Sequence, residues 1–167
     1  MHGKGHKVAF RRRRQGKTNY RQRFKLLKSG KPRIIVRKSN KNIRIQFASY
    51  KPNGDFIITS AMGSELKKYG WNGSWRNVPA SYLAGYLAGK KASKKGINEG
   101  ILDIGLHSPR KGAKIFAALK GVADAGIEVP YSEDILPDEE RIYGKHIGED
   151  VVQKFEEVKK KIEEEHG

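Results

Sequence analysis

The chain has 167 residues, no cysteine, and 35 Lys and Arg against 18 Asp and Glu, a formal charge of +17. That length suits one domain with a core and an appended tail or helix. Missing cysteine excludes a disulfide framework, a thiolate zinc site and a thiol nucleophile. No apolar run approaches the roughly 20 residues that span a bilayer, and the N-terminus lacks a signal-peptide core, so a soluble cytoplasmic chain is expected.

Charge is unevenly placed. Residues 1–51 hold 18 Lys and Arg and no acid, whereas residues 128–167 hold six against 13 Asp and Glu. A merely solvated surface would not need acid to be absent for so long, and neutralising phosphates releases counterions and drives binding. An anionic membrane fits less well, because the basic segment has little apolar surface to bury.

Residues 1–17 are Gly- and Arg-rich with little apolar content, and alone they should form a disordered basic arm carrying Arg11, Arg12, Arg13, Arg14 and Lys17. A helix is predicted over 18–29, capped by Thr18 or Asn19 and stopped by Gly30 and Pro32. Its spacing turns Tyr20, Phe24 and Leu27 inward and Arg21, Lys25 and Lys28 outward.

"RIIVRKS" and "NIRIQFASY" read as strands around a tight turn, the second alternating Ile43, Ile45 and Phe47 with Arg44, Gln46 and Ala48. "DFIITS" follows the turn signal Pro52-Asn53-Gly54 and completes an antiparallel meander. "GWNGSWRN" is a loop whose Trp71 and Trp75 either pin it to the core or stack on bases beside Arg76. "VPASYLAGYLAGKKASKKG" is a helix with Pro79 in its first turn and lysines at its end; Gly85 and Gly89 suit close packing on a sheet.

A buried strand is expected over 101–106, then a helix capped by Ser108 with Pro109 at its first position, running to about Ala125. "GIEVP" supplies a last short strand, and strand, helix and strand imply a right-handed parallel βαβ unit. The fold class is therefore α/β, a mixed sheet with packed helices. Its organisation is an arm (1–17), a core (18–130), then an acidic connector and amphipathic helix (131–167). In that last helix Val151, Phe155, Val158 and Ile162 form a stripe, which docks on its own domain or on a partner; Glu156 with Lys160 and Glu157 with Lys161 stand at favourable pair spacing.

Catalytic chemistry finds little footing. Asp103, His107 and Ser108 lack the setting of a triad, and His2, His6, His107, His146 and His166 show no metal-ligand spacing. A nuclease needs several converging carboxylates, yet Asp55 and Asp103 are almost the only acids in the sheet segments. Recognition remains: an arginine arm holds phosphates bidentately and stacks on bases, and Arg37, Lys38, Ser39, Asn40 and Lys41 set polar groups beside cations at a turn.

The ordered segments "RRRR", "TNYRQRFKLLKSGKPR", "VRKSNKNIRIQ", "YGW", "YLAGYLAGKKA", "LDIGLHSP", "GAKIFAALKGVADAGIEVPYSED" and "HIGE" resemble the archaeal and eukaryotic branch of ribosomal protein L-eighteen, over residues 11–146. The resemblance implies a 5S rRNA-binding protein of the large subunit's central protuberance, with 5S rRNA, the large rRNA and neighbouring large-subunit ribosomal proteins as partners. It implies no catalytic residue, cofactor, metal, small-molecule substrate or membrane. Carried onto matching positions, it assigns rRNA contacts to Arg11, Arg12, Arg13, Arg14, Thr18, Asn19, Tyr20, Arg21, Arg23, Lys31, Arg33 and the segment Arg37, Lys38, Ser39, Asn40, Lys41; the residues' own pattern adds Lys17, Lys25 and Lys28. The alternatives are a metal-dependent nuclease on a ribonuclease H-like sheet and a general basic coat for nucleic acid.

Overall fold

Three β-branched runs pair where the sequence places them: β1 (Arg33–Lys38), β2 (Ile43–Lys51) and β3 (Gly54–Met62) form an antiparallel meander in a computed structural model describing residues 7–167. The expectation of disorder for residues 1–6 lies outside the described residues. A short strand β4 (Ile101–Asp103) runs parallel to β1, so the mixed sheet has the order β3-β2-β1-β4.

Two-residue periodicity divides this sheet. Ile34, Val36, Ile43, Ile45 and Phe47 are fully buried, whereas Arg33, Ile35 and Arg37 lie on the other face of β1. Ala48 breaks the expected alternation and is also fully buried, because a bulge between Phe47 and Ala48 shifts the register with β3. On the apolar face, α3 (Val78–Ser93) packs on β2 and β3, while α4 (Lys114–Asp124) packs on β1 and closely on α3.

The small residues in α3 serve that second contact rather than a sheet. A Cβ on Gly85 would overlap the Ala118 carbonyl, and one on Gly89 would meet the Ala125 Cβ at 2.6 Å; Gly121 on α4 has the reciprocal conflict with the Tyr82 carbonyl. The two backbones touch because no side chain intervenes.

The second half departs from expectation in three places. β4 stops at Asp103: the Gly105 amide bonds back to Asp103 Oδ1 (2.9 Å), Gly105 takes φ +64°, and Leu106 turns to solvent. α4 starts after Ala113, not Ser108, because Gly112 adopts φ +70° and its amide reaches the Ile135 carbonyl at 3.0 Å. "GIEVP" makes only one parallel bridge, Glu99 with Glu128, so the sheet's parallel pair is β1 with β4.

A short helix α5 (Glu139–Tyr143) leads to α6 (Glu149–His166). Phe155, Val158 and Ile162 are buried and α6 packs on α3, so the stripe docks on its own domain. Phe155 meets the rings of Tyr82 and Tyr143 at 5.3 Å each. Tyr86 donates to Glu163, and Tyr69 pairs with His166 at 3.0 Å. The pairs Glu156–Lys160 and Glu157–Lys161 are not among the ion pairs of the described residues. Among those residues no helix is long and apolar enough to cross a membrane.

Candidate nucleic-acid interface

The basic segment forms two short helices, α1 (Arg11–Arg14) and α2 (Tyr20–Leu27). The single turn of α1 corrects the expectation of an arm without structure, but it buries nothing and all four arginines are exposed. Arg12 Nε donates to Thr18 Oγ1 (2.8 Å), and Phe10 meets the ring of Tyr20 at 5.1 Å. These contacts tie arm to helix.

Asn19 is the cap of α2: its Oδ1 accepts from the Gln22 amide at 3.1 Å. Arg21, Lys25 and Lys28 face solvent as their spacing predicts. Phe24 does not turn inward. It is 62% exposed under Lys28, whose ammonium lies 5.1 Å from the ring, while Arg23, Leu26 and Leu27 take the half-buried side. The helix buries no residue fully, so apolar packing contributes little to holding it.

An ion network holds it instead. Arg23 grips Asp55 at the start of β3 with two bonds of 2.9 and 2.7 Å, and Arg33 Nη2 lies 2.5 Å from the same carboxylate. Arg33 Nη1 bonds Asp103 at 2.8 Å, and Arg37 reaches Asp103 at 2.9 Å. The Arg23 bonds hold the Asp55 carboxyl below its ordinary value, with Arg33 adding to the effect. Arg33 is 2% exposed, and its Nε and Nη2 find no well-angled hydrogen-bond acceptor.

Arg33 is thus the clearest departure from the expected set of RNA contacts, since it has almost no surface to present. Arg23 and Arg37 are partly committed inside the protein, and Lys31 lies 2.5 Å from Glu99. Arg11, Arg12, Arg13, Arg14, Lys17, Arg21, Lys25, Lys28, Lys38 and Lys41 remain exposed. Arm, helix, the open face of β1 and the loop after β4 surround a groove of about 900 Å³ lined by Arg12, Lys17, Asn19, Arg37 and His107.

The turn between β1 and β2 is closed by hydrogen bonds around Ser39. Ser39 Oγ accepts from the amides of Lys41 (3.3 Å) and Asn42 (3.0 Å), and its own amide bonds the Asn42 carbonyl at 2.8 Å. That leaves Lys38, Asn40 and Lys41 outward. Sequence reasoning missed what stands beside them. Arg76 donates to the Asn40 carbonyl (3.1 Å), and Lys114 donates to the Arg76 carbonyl (3.3 Å). Burial, then Lys38 and Arg76, pushes the Lys114 ammonium below its ordinary pKa. Burial, then Lys38, Arg37 and Lys114, does the same to His107. Of the two tryptophans in the adjoining loop, Trp71 is buried and pins it, whereas Trp75 is 39% exposed.

Cations crowded enough to depress one another are chemically suited to a polyanion. The same geometry removes the footing for metal-dependent cleavage, because Asp55 and Asp103 are saturated by arginines. Among the described residues no cluster of three or more His, Asp or Glu is placed to hold a metal. Fold and surface together define a class of α/β protein that presents a cationic face suited to nucleic acid.

Comparison with known proteins narrows that class. A family model described as ribosomal large subunit proteins 60S L5 and 50S L18 matches residues 4–100 and 91–132, and the chain belongs to this family. It is 54% identical to the large ribosomal subunit protein uL18 of Korarchaeum cryptofilum over 85% of this chain and 73% of that one. With the uL18 of Methanothrix thermoacetophila the identity is 50%, over 96% and 97%; with that of Haloarcula marismortui it is 49%, over 88% and 79%. The chain is a structural, non-enzymatic constituent of the large subunit of the cytoplasmic ribosome.

Proposed function

We propose that this constituent binds 5S rRNA and helps attach it to the large rRNA in the central protuberance. The observation that carries the reading is the acid-poor cationic surface formed by α1, the outer side of α2 and the β1–β2 turn. In this division residues 1–17 are the RNA-binding arm, 18–130 the core, and 131–167 the acidic connector and helix, the side turned toward neighbouring large-subunit proteins. Arg11, Arg12, Arg13, Arg14 and Lys17 reach into the RNA. Arg21, Lys25 and Lys28 lie along its backbone, and Lys38, Asn40 and Lys41 meet it from the turn. Thr18, Asn19, Tyr20 and Ser39 hold these groups in place, and Arg23, Lys31 and Arg37 keep only part of their donors for RNA.

A titration against 5S rRNA, an unrelated folded RNA and duplex DNA at several salt concentrations tests this. Preference for 5S rRNA at physiological salt is expected; equal affinity for all three would leave only a basic coating protein. Replacing Arg11, Arg12, Arg13 and Arg14 with alanine should weaken binding and flatten its salt dependence by about one unit of log–log slope for each phosphate that is no longer neutralised. Thermal stability should stay nearly unchanged, because α1 buries nothing.

A further inference from the structure

We infer that Asp55, an acid inside an RNA-binding surface, is a positioning residue for RNA: removing its negative charge weakens binding to a polyanion. Coulomb attraction alone says the opposite, since losing an acid raises the protein's positive charge.

The helix α2 has eight residues, none fully buried, and it carries Arg21, Lys25 and Lys28 on its exposed side. A helix so short is not stable by itself. Its firmest tether to the sheet is the two-pronged bond from Arg23 to Asp55, 32 residues away, and a bidentate guanidinium–carboxylate pair fixes direction as well as distance. Asp55 is in turn clamped from beneath by Arg33, which Asp103 holds at 2.8 Å, and Asp103 also holds Arg37 at 2.9 Å. Five charges alternate in sign from α2 across β3 and β1 to β4. Arg33, the middle charge of the five, is 2% exposed and held by Asp103, so Asp55 and Arg23 are aimed from a buried base.

Without the Asp55 carboxylate, Arg23 has no partner, α2 loses its orientation, and three outward cations lose their common register. Arg33 would still keep Asp103. The loss is felt first at the rim, where the Asp55 side chain is 23% exposed, and also at the buried Arg33, whose Nη2 loses its carboxylate partner.

The inference rests on the proposed binding to 5S rRNA, and the experiment separates the two. Affinity for 5S rRNA and for unrelated RNA is measured for the wild type, Asp55→Asn, Asp55→Glu and Asp134→Asn, each across a salt series. Asp134 is exposed in the connector, outside the network, and serves as the control for charge alone. Expected are a 5S-preferring wild type, an unchanged or slightly tighter Asp134→Asn, and an Asp55→Asn about tenfold weaker, equivalent to about 1.4 kcal/mol. Its salt slope should be shallower despite the extra positive charge, and Asp55→Glu should recover most of the loss.

Hydrogen exchange on the free proteins supplies a readout that a general loss of stability would not produce: exchange in α2 speeds up by more than any change in β1 and β2. A 5S-preferring wild type with Asp55→Asn binding equally well or tighter would overturn the inference. So would a binding loss with α2 exchange unaltered. A wild type with no preference for 5S rRNA would refute the functional reading instead.

Discussion

His107 shows how a single side chain can report on the surface around it. Burial and the nearby Lys38, Arg37 and Lys114 depress its pKa, so on acidification the unfolded chain takes up the proton first. This contribution to stability is present above the ordinary value of 6.5 and is lost as pH falls below it. His166, depressed chiefly by burial, adds in the same direction. Melting temperature should fall between pH 7.5 and 5.5, and His107→Gln should reduce that fall. An RNA phosphate near this cluster reverses the balance: the His107 ring proton resonances should titrate at higher pH in the complex than in free protein. An unchanged or lower pKa on RNA binding would place the polyanion elsewhere. The depressed pKa was not legible in the sequence, because Lys38 and Lys114 are 76 positions apart and only the fold brings their charge to His107.

Elements were legible where their cause is local. The strands β1 and β2 follow from their β-branched runs, β3 from the Pro52-Asn53-Gly54 turn before it, α3 from its first-turn proline and terminal lysines, α6 from its spaced apolar stripe, and the arm's charge from composition. What failed depends on distant partners. Phe24 belongs inside on spacing alone, but α2 is set by Asp55 of β3, which rotates Arg23 inward. β4 ends at Asp103 because that carboxylate serves Arg33 and Arg37, and Ser108 caps nothing because Gly112 is tied to Ile135. A clue to the network was nonetheless present: Arg33 and Arg37 alternate with Ile34 and Val36, placing two cations on one side of a strand.

The contact of α3 with α4 carries its own prediction. A methyl group at Gly85 collides with the Ala118 backbone, which no rotamer change relieves. Gly85→Ala should cost about 3 kcal/mol, a drop of roughly 6–12 °C in melting temperature for a chain of this size. A variant melting within about 2 °C of the wild type would show that the helices lie farther apart. RNA preference measured well below the melting point should survive, since α1, α2 and the β1–β2 turn lie outside that contact.

At the scale of the molecule, the basic and acidic segments dock on different elements of one core. Apolar faces of the sheet, α3, α4 and α6 join in one core, which holds the acid-rich α6 against α3 while the basic helices lie by the open face of β1. The candidate site was legible as a basic stretch but not as a structure. Composition counts Arg33 with Arg21, yet one is a buried strut and the other a free cation. In the proposed complex the free cations would set the strength of attraction to RNA, and the struts its geometry.

Placing the RNA on this surface is the central claim, and site-specific photocrosslinking from the full chain to 5S rRNA tests it most directly. A photoreactive residue at position 13 or 41 should crosslink to 5S rRNA efficiently at physiological salt, whereas one at position 157 on the exposed side of α6 should not. Equal crosslinking from all three positions, or crosslinking from 157 alone, would contradict the account.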